Sequence, residues 1–147
     1  MIEFNESKGI LFMCVANSAR SQMAEGIARH WAAGRFPVFS AGSSPSKVNP
    51  FAIEAMAEKD IDVRIHTSNG VSAVPLEQVA CVITLCAEEV CPIPPAQIQQ
   101  LHWPYPDPAG SGSTHADTLA GFQSVRDALW TRIKEFIDQH VESNSIS

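Results

Sequence analysis

Residues 9–26 read GILFMCVANSARSQMAEG, and the way this stretch divides decides the fold. Gly9 to Cys14 is a short, unbroken apolar run, the pattern of a strand buried on both faces. Val15 to Ala19 is small and polar, the composition of a turn. From Arg20 the period changes: Met23, Ile27 and Trp31 recur every four residues and stop near Gly34, which predicts a helix. A strand that runs straight into a helix leaves its turn at the carboxyl end of the strand. In open α/β sheets, ligands bind at that edge.

The rest of the chain repeats the alternation. Val38 and Phe39 lead a second strand into Ala41-Gly42, and Asn49-Pro50 opens a helix containing Phe51, Ile53, Met56 and Ala57. Val79 to Leu85, VACVITL, is the strongest strand signal. Leu101 to Trp103 reads as a fourth strand, cut off by Pro104, Pro106 and Pro108. A long helix follows from about 116 to 140, with Phe122, Val125, Leu129, Ile133, Phe136 and Ile137 as its apolar stripe, and 143–147 reads as a frayed tail. The order predicts an α/β fold: a mostly parallel sheet with helices on both faces. With no repeat and no linker, residues 1–147 are expected to form one domain.

Composition narrows the function. The chain has 147 residues, 45% hydrophobic and 18% charged, as expected of a globular protein. No apolar run reaches the roughly 18 residues of a membrane span, and the acidic, polar start MIEFNESKG is unlike a secretory signal. A cytoplasmic location is expected. The net charge of -6, without a basic run, argues against nucleic acid as a partner. Any anionic substrate must therefore be attracted locally. The four cysteines, Cys14, Cys81, Cys86 and Cys91, do not resemble a secreted disulfide framework.

The turn after Cys14 is suited to an anion. Consecutive N–H groups of Val15, Ala16, Asn17, Ser18 and Ala19 can converge on one, and the following helix adds its positive dipole end. Arg20 stands where a guanidinium can clamp two oxygens of a tetrahedral oxyanion. The same positive surroundings favour the thiolate of Cys14, the nucleophilic form, and Ser21 can donate to that sulfur. The pattern Cys-x5-Arg-Ser is not the ATP-type loop, which needs glycines and a lysine. A bland reading also stands: Cys14 as a buried strand-end residue and Arg20 as a surface residue.

CVANSARSQMAEG resembles the phosphate loop of the low-molecular-weight protein tyrosine phosphatase superfamily. Within it, RSQMAEG and FSAGSSPSKVNPFAIEAM resemble the arsenate reductase branch, and HTS at 66–68, VITLCAEEVCPIPP, LHWPYPDPAG and FQSVRDALWTRI continue the match in order. The resemblance implies a four-stranded parallel sheet with helices on both sides. Two positions depart from it: Ala19 stands where many relatives have a second loop cysteine, and Ala16 where many have glycine.

Phosphate has no accessible lower oxidation state, but arsenate can accept two electrons and leave as arsenite. A dithiol closing to a disulfide supplies them. Cys86 follows the VITL strand and Asp107 follows the expected fourth strand, so in a parallel sheet both reach the edge occupied by Cys14. The expected cycle has Cys14 as nucleophile, Arg20 and the 15–21 loop as oxyanion holders, and Asp107 as general acid. Cys86 then attacks Cys14, and Cys91 attacks Cys86. In a regular helix residues five apart have Cα atoms roughly 8–9 Å apart, beyond disulfide reach, so 86–91 is expected to rearrange. Thioredoxin, or glutaredoxin with glutathione, is the implied reductant, with phosphate and sulfate as substrate analogues.

Other readings compete. Cys81 is expected in the core. Cys81, Cys86, Cys91 and His102 lack the close pairs of a zinc site, so no metal and no cofactor is expected. Asp107 in PYPDPAG also fits a plain turn former, and Tyr105 either lines the pocket or packs. His30, His66, His115 and His140 show no partner in sequence and read as surface or capping residues. Glu25, Asn17, Ser40 and Asn69 align with a potassium-binding set of some relatives, with Asn69 where those have aspartate, and a hydrogen-bonding role fits equally. Two alternatives to the reductase remain: a tyrosine phosphatase using Cys14, Arg20 and Asp107 alone, and a non-enzymatic sensor binding oxyanion or arsenite.

Overall fold

The computed structural model describes residues 2–16, 19–43, 46–87, 97–109 and 112–141. The opening apolar run forms strand β1 (Gly9–Cys14), buried at every position. Helix α1 (Arg20–Ala32), β2 (Val38–Gly42) and α2 (Pro50–Ala57) follow. Two 3-10 turns at Val71–Ala73 and Leu76–Gln78 lead into β3 (Val79–Thr84), then β4 (Gln99–His102) and α3 (His115–Val141). The strands form one sheet in the order β2–β1–β3–β4, with every neighbouring pair parallel. The α/β fold expected from the alternating pattern is the observed one.

Alternation along the strands builds the two sides of the core. Ile10 and Phe12 of β1, with Cys81 and Ile83 of β3, meet Met23 and Ile27 of α1, Met56 of α2, and Phe122, Leu129 and Ile133 of α3. Leu11, Met13 and Val82 point the other way, onto Val74 and, in its neighbourhood, Val71 and Leu76. Among the described residues, helical segments thus cover both faces, α-helices on one and the two 3-10 helices on the other. Each fully buried Leu, Ile or Phe contributes about 1.5–3 kcal/mol, so the strand that ends in Cys14 is a rigid base.

Local signals set the joints. The Asn49 side chain accepts from the Phe51 N–H at 2.8 Å and Pro50 occupies the first turn of α2, which together fix where that helix starts. At the end of α1, Ala33 and Gly34 both take left-handed angles, φ 50 and 80, and the Ala33 N–H returns to Arg29. Gly9 is required by close approach: a Cβ there would lie 1.7 Å from the Pro37 carbonyl oxygen, where β1 begins beside the lead into β2. Buried Arg126 of α3 donates to the Ala55 carbonyl at 2.9 Å and to Glu58, pinning α2. Its guanidinium holds the Glu58 carboxyl below its usual range.

Candidate active site

Cys14 is the last residue of β1 and is 2% exposed. Its Sγ lies 2.9 Å from Ser21 Oγ, in the first turn of α1. When the sulfur is a thiolate, the hydroxyl is the donor. Ala19 is the N-cap of α1 and has no acceptor in its side chain, and no acidic residue stands in the first turn. The positive end of the helix dipole therefore faces the loop without a carboxylate to cancel it.

Arg20, buried at 4% exposure, turns toward the segment after β4. Its Nη1 donates to the Tyr105 carbonyl at 3.0 Å, and its Nη2 lies 3.9 Å from Asp107 Oδ2. The segment holding Asp107 is itself stitched to the extension of β3: the Trp103 N–H donates to Thr84 and the Tyr105 N–H to Leu85. Asp107 Oδ1 accepts from the Ala109 N–H at 3.0 Å, so this residue is a turn former as well as a cavity wall. Its side chain is half exposed, open to a departing oxygen. Tyr105 contributes its carbonyl to Arg20, while its side chain packs against the main core.

Cys14, Ala16, Ala19, Arg20, Asn49, Asp107 and Ala109 enclose a cavity of about 110 Å³, suited to a small oxyanion. Larger hollows of about 340 and 390 Å³ open elsewhere, but neither is lined by a cysteine. Asn49 is the wall residue that sequence reasoning missed. Its capping role was visible in Asn-Pro, but its place at the cavity depends on how α2 meets the loop. From below, Ser68 Oγ donates to the Ala16 carbonyl at 2.9 Å and accepts from the Ser46 N–H at 3.0 Å. Residues 66–69 thus strap the loop. Asn17 and Ser18 lie outside the described residues, and Val15 is half-buried beside Cys14.

Cys86 follows β3, is 1% exposed and is disulfide-bonded, whereas Cys14 and Cys81 are free thiols. Cys91 lies outside the described residues. Cys81 sits in the core as expected, and burial pushes its thiol up to about 12, so it is inert. His30 and His115 are exposed, as expected of surface residues, whereas the His66 side chain is largely buried, and each histidine has a partner. His66 Nδ1 pairs with Gln22 Oε1, His115 with Glu54, His140 with the Ile2 carbonyl, and His30 meets Trp31 edge-on and Trp130 at a tilt. Most of these partners are far away in sequence, which is why they were invisible there.

Among the described residues, no helix is long and apolar enough to cross a membrane. The chain matches the family described as low molecular weight phosphotyrosine protein phosphatase over residues 9–145. It is similar to arsenate reductase 2 of Staphylococcus saprophyticus, 44% identical over 135 residues, which cover 90% of this chain and 98% of that protein. A solved structure described as an arsenate reductase in the phosphate binding state is 32% identical, with a TM-score of 0.73 over 90% of this chain and 98% of that one. A thioredoxin-dependent arsenate reductase of Corynebacterium glutamicum is 25% identical, with a TM-score of 0.69 over 91% of this chain and 62% of that one.

Proposed function

This chain belongs to the low-molecular-weight phosphotyrosine protein phosphatase family and, within it, to the arsenate reductases, and from that premise we propose a three-cysteine relay as its mechanism. Arsenate enters the cavity between the loop amides and Arg20. The Cys14 thiolate attacks arsenic, and Asp107 protonates the oxygen that leaves as water. The Cys86 thiolate then attacks Cys14 Sγ. An S–S bond forms, the S–As bond breaks, and its electron pair stays on arsenic, which departs as arsenite. The Cys91 thiolate attacks Cys86, releasing Cys14 and leaving an 86–91 disulfide for an external dithiol.

The observation that carries this reading is the neighbourhood of β1 and β3. Met13 is in register with Thr84, and the Leu85 N–H donates to the Met13 carbonyl at 2.9 Å, so the ladder continues past the strand. Cys86 is then one residue beyond the position opposite Cys14. Strand spacing and rise put their Cα atoms roughly 6 Å apart if the backbone stays extended. That lies inside the usual disulfide range of about 4.4–6.8 Å. The bonded state of Cys86 beside a free Cys14 supports the last stage of the proposed cycle.

Thioredoxin is the reductant we infer, by similarity to the thioredoxin-dependent relative. The cycle needs a reducing compartment to restore its thiols, and the cytoplasm is the one we assign. Arsenate turnover, measured in parallel with thioredoxin and with glutaredoxin plus glutathione, tests the reading, followed by mass mapping of the disulfide formed. Arsenite production with an 86–91 disulfide is the expected result. Aryl phosphate hydrolysis without arsenite production under either reductant would make the chain a phosphatase, and stoichiometric binding without turnover would make it a sensor.

A further inference from the structure

We propose that Arg29 is the resident cation of the Glu25 site, a positioning residue that takes the place of a bound potassium ion. Of the four residues aligned with a potassium-binding set, Asn17 lies outside the described residues, and Glu25 is the one carboxylate. The Glu25 side chain is 8% exposed, and both of its oxygens are engaged. Oε1 accepts from Ser40 Oγ, and Oε2 accepts from Arg29 Nε at 2.8 Å. Arg29 is anchored at its other end, where Nη2 donates to the Val38 carbonyl at 2.8 Å. A potassium ion on Glu25 would share the carboxylate with a guanidinium already in contact, like charge beside like charge. The ion does not fit these residues.

The remaining neighbour supports the same assignment. His66 Nε2 stands 3.8 Å from Glu25 Oε2. Burial holds this imidazole below its ordinary value, more than Glu25 raises it, so at pH 7 it is neutral. The positive charge facing Glu25 therefore comes from Arg29, four residues on along α1.

The cluster has reach. Glu25 ties α1 to β2 through Ser40 and Arg29, and His66 ties α1 to the strap through Gln22. Two residues further on, Ser68 holds the Ala16 carbonyl. A charge at Glu25 thus sets the underside of the anion loop. A mobile ion would make that support vary with salt, since a ligand stabilises only in proportion to its occupancy. A covalently attached guanidinium makes it constant. The inference goes beyond the thiol relay and does not depend on the identity of the oxyanion.

The test titrates potassium chloride against choline chloride at constant ionic strength, using the full chain. Melting temperature is the first readout and arsenate kcat/KM the second. The wild-type protein is expected to melt at the same temperature in both salts. Arg29→Met should melt lower in choline and recover both stability and activity severalfold in potassium. Arg29→Lys, which keeps the charge, should be indifferent to the salt. A potassium-specific rise in the wild-type melting temperature would overturn the proposal, as would an Arg29→Met protein blind to potassium or an Arg29→Lys protein that requires it. If Arg29→Met fails to fold, the wild-type and Arg29→Lys titrations still decide. Melting needs no substrate, so this proposal and the arsenate assignment can fail separately.

Discussion

Ser21 Oγ lies 2.9 Å from Cys14 Sγ, and both residues are buried. Either atom can donate while the sulfur is a neutral thiol, but only the hydroxyl can donate to a thiolate. A hydrogen bond to a charged group is worth about 1.5–3 kcal/mol. Ser21→Ala should therefore slow iodoacetamide alkylation of Cys14 at pH 7, followed by peptide mass mapping, by roughly ten- to a hundredfold. Equal rates in the two proteins would show that the contact does not stabilise charge.

Arg20 holds the Tyr105 carbonyl and faces Asp107 while its guanidinium borders the cavity. Lysine can supply the charge but cannot clamp two oxygens and keep the carbonyl contact. Arg20→Lys is expected to lower arsenate kcat/KM by about a hundredfold or more, the scale of losing one preorganised oxyanion donor. Steady-state kinetics with thioredoxin as reductant would measure it.

Cys86→Ser separates reduction from phosphoryl chemistry. The variant should lose multiple turnover of arsenate, since the sulfur that attacks Cys14 in the proposed relay is gone, yet keep slow cleavage of an aryl phosphate. Cys91→Ser should stop one step later and accumulate a 14–86 disulfide visible by mass mapping. Full arsenate turnover by either variant would reject the relay.

His66 gives the protein an acid-side weakness with a definite sign. Burial holds its folded-state pKa below the ordinary value of about 6.5, so on acidification the unfolded chain takes the proton first. Its contribution is intact above about 6.5 and is lost as pH falls through the folded value, with a slope of at most about 1.4 kcal/mol per pH unit. His66→Asn keeps an amide donor near Gln22 without the titration. Melting curves between pH 7 and pH 5 should fall less steeply for the variant than for the wild-type protein.

Gly9→Ala tests the close approach of β1 to the lead into β2. The new methyl would fall 1.7 Å from the backbone oxygen of Pro37, which also accepts the Ile10 N–H at 3.1 Å. Backbone cannot swing aside as a flexible side chain does. A loss of about 1–3 kcal/mol is expected, the usual range for forced overpacking, read as a lower urea midpoint.

Much of the architecture could be read in the chain because its strands are apolar on both sides and its helices keep a sharp period. β4 starts earlier than expected, at Gln99, because Gln99 and Gln100 are exposed edge residues that hydrophobic patterning does not register. Cys14, Arg20 and Ser21 were legible because one strand-to-helix turn holds all of them. Asp107 was legible through the strand before it. Asn49 and Ser68 were not legible as parts of the site: each reaches it by tertiary packing, Ser68 from 52 residues away. The Glu25–Arg29 pair had a local signal in its four-residue spacing, but only the burial of Glu25 gives it weight.

Cys14 is almost wholly shut off from solvent. Such a sulfur is open to a small oxyanion through the cavity of about 110 Å³ and closed to bulky electrophiles that would spend it uselessly. The same shelter turns away any reductant of protein size, so a spent nucleophile here has no direct line to its electron donor. The proposed relay, in which a second thiol carries the electrons outward, answers that isolation.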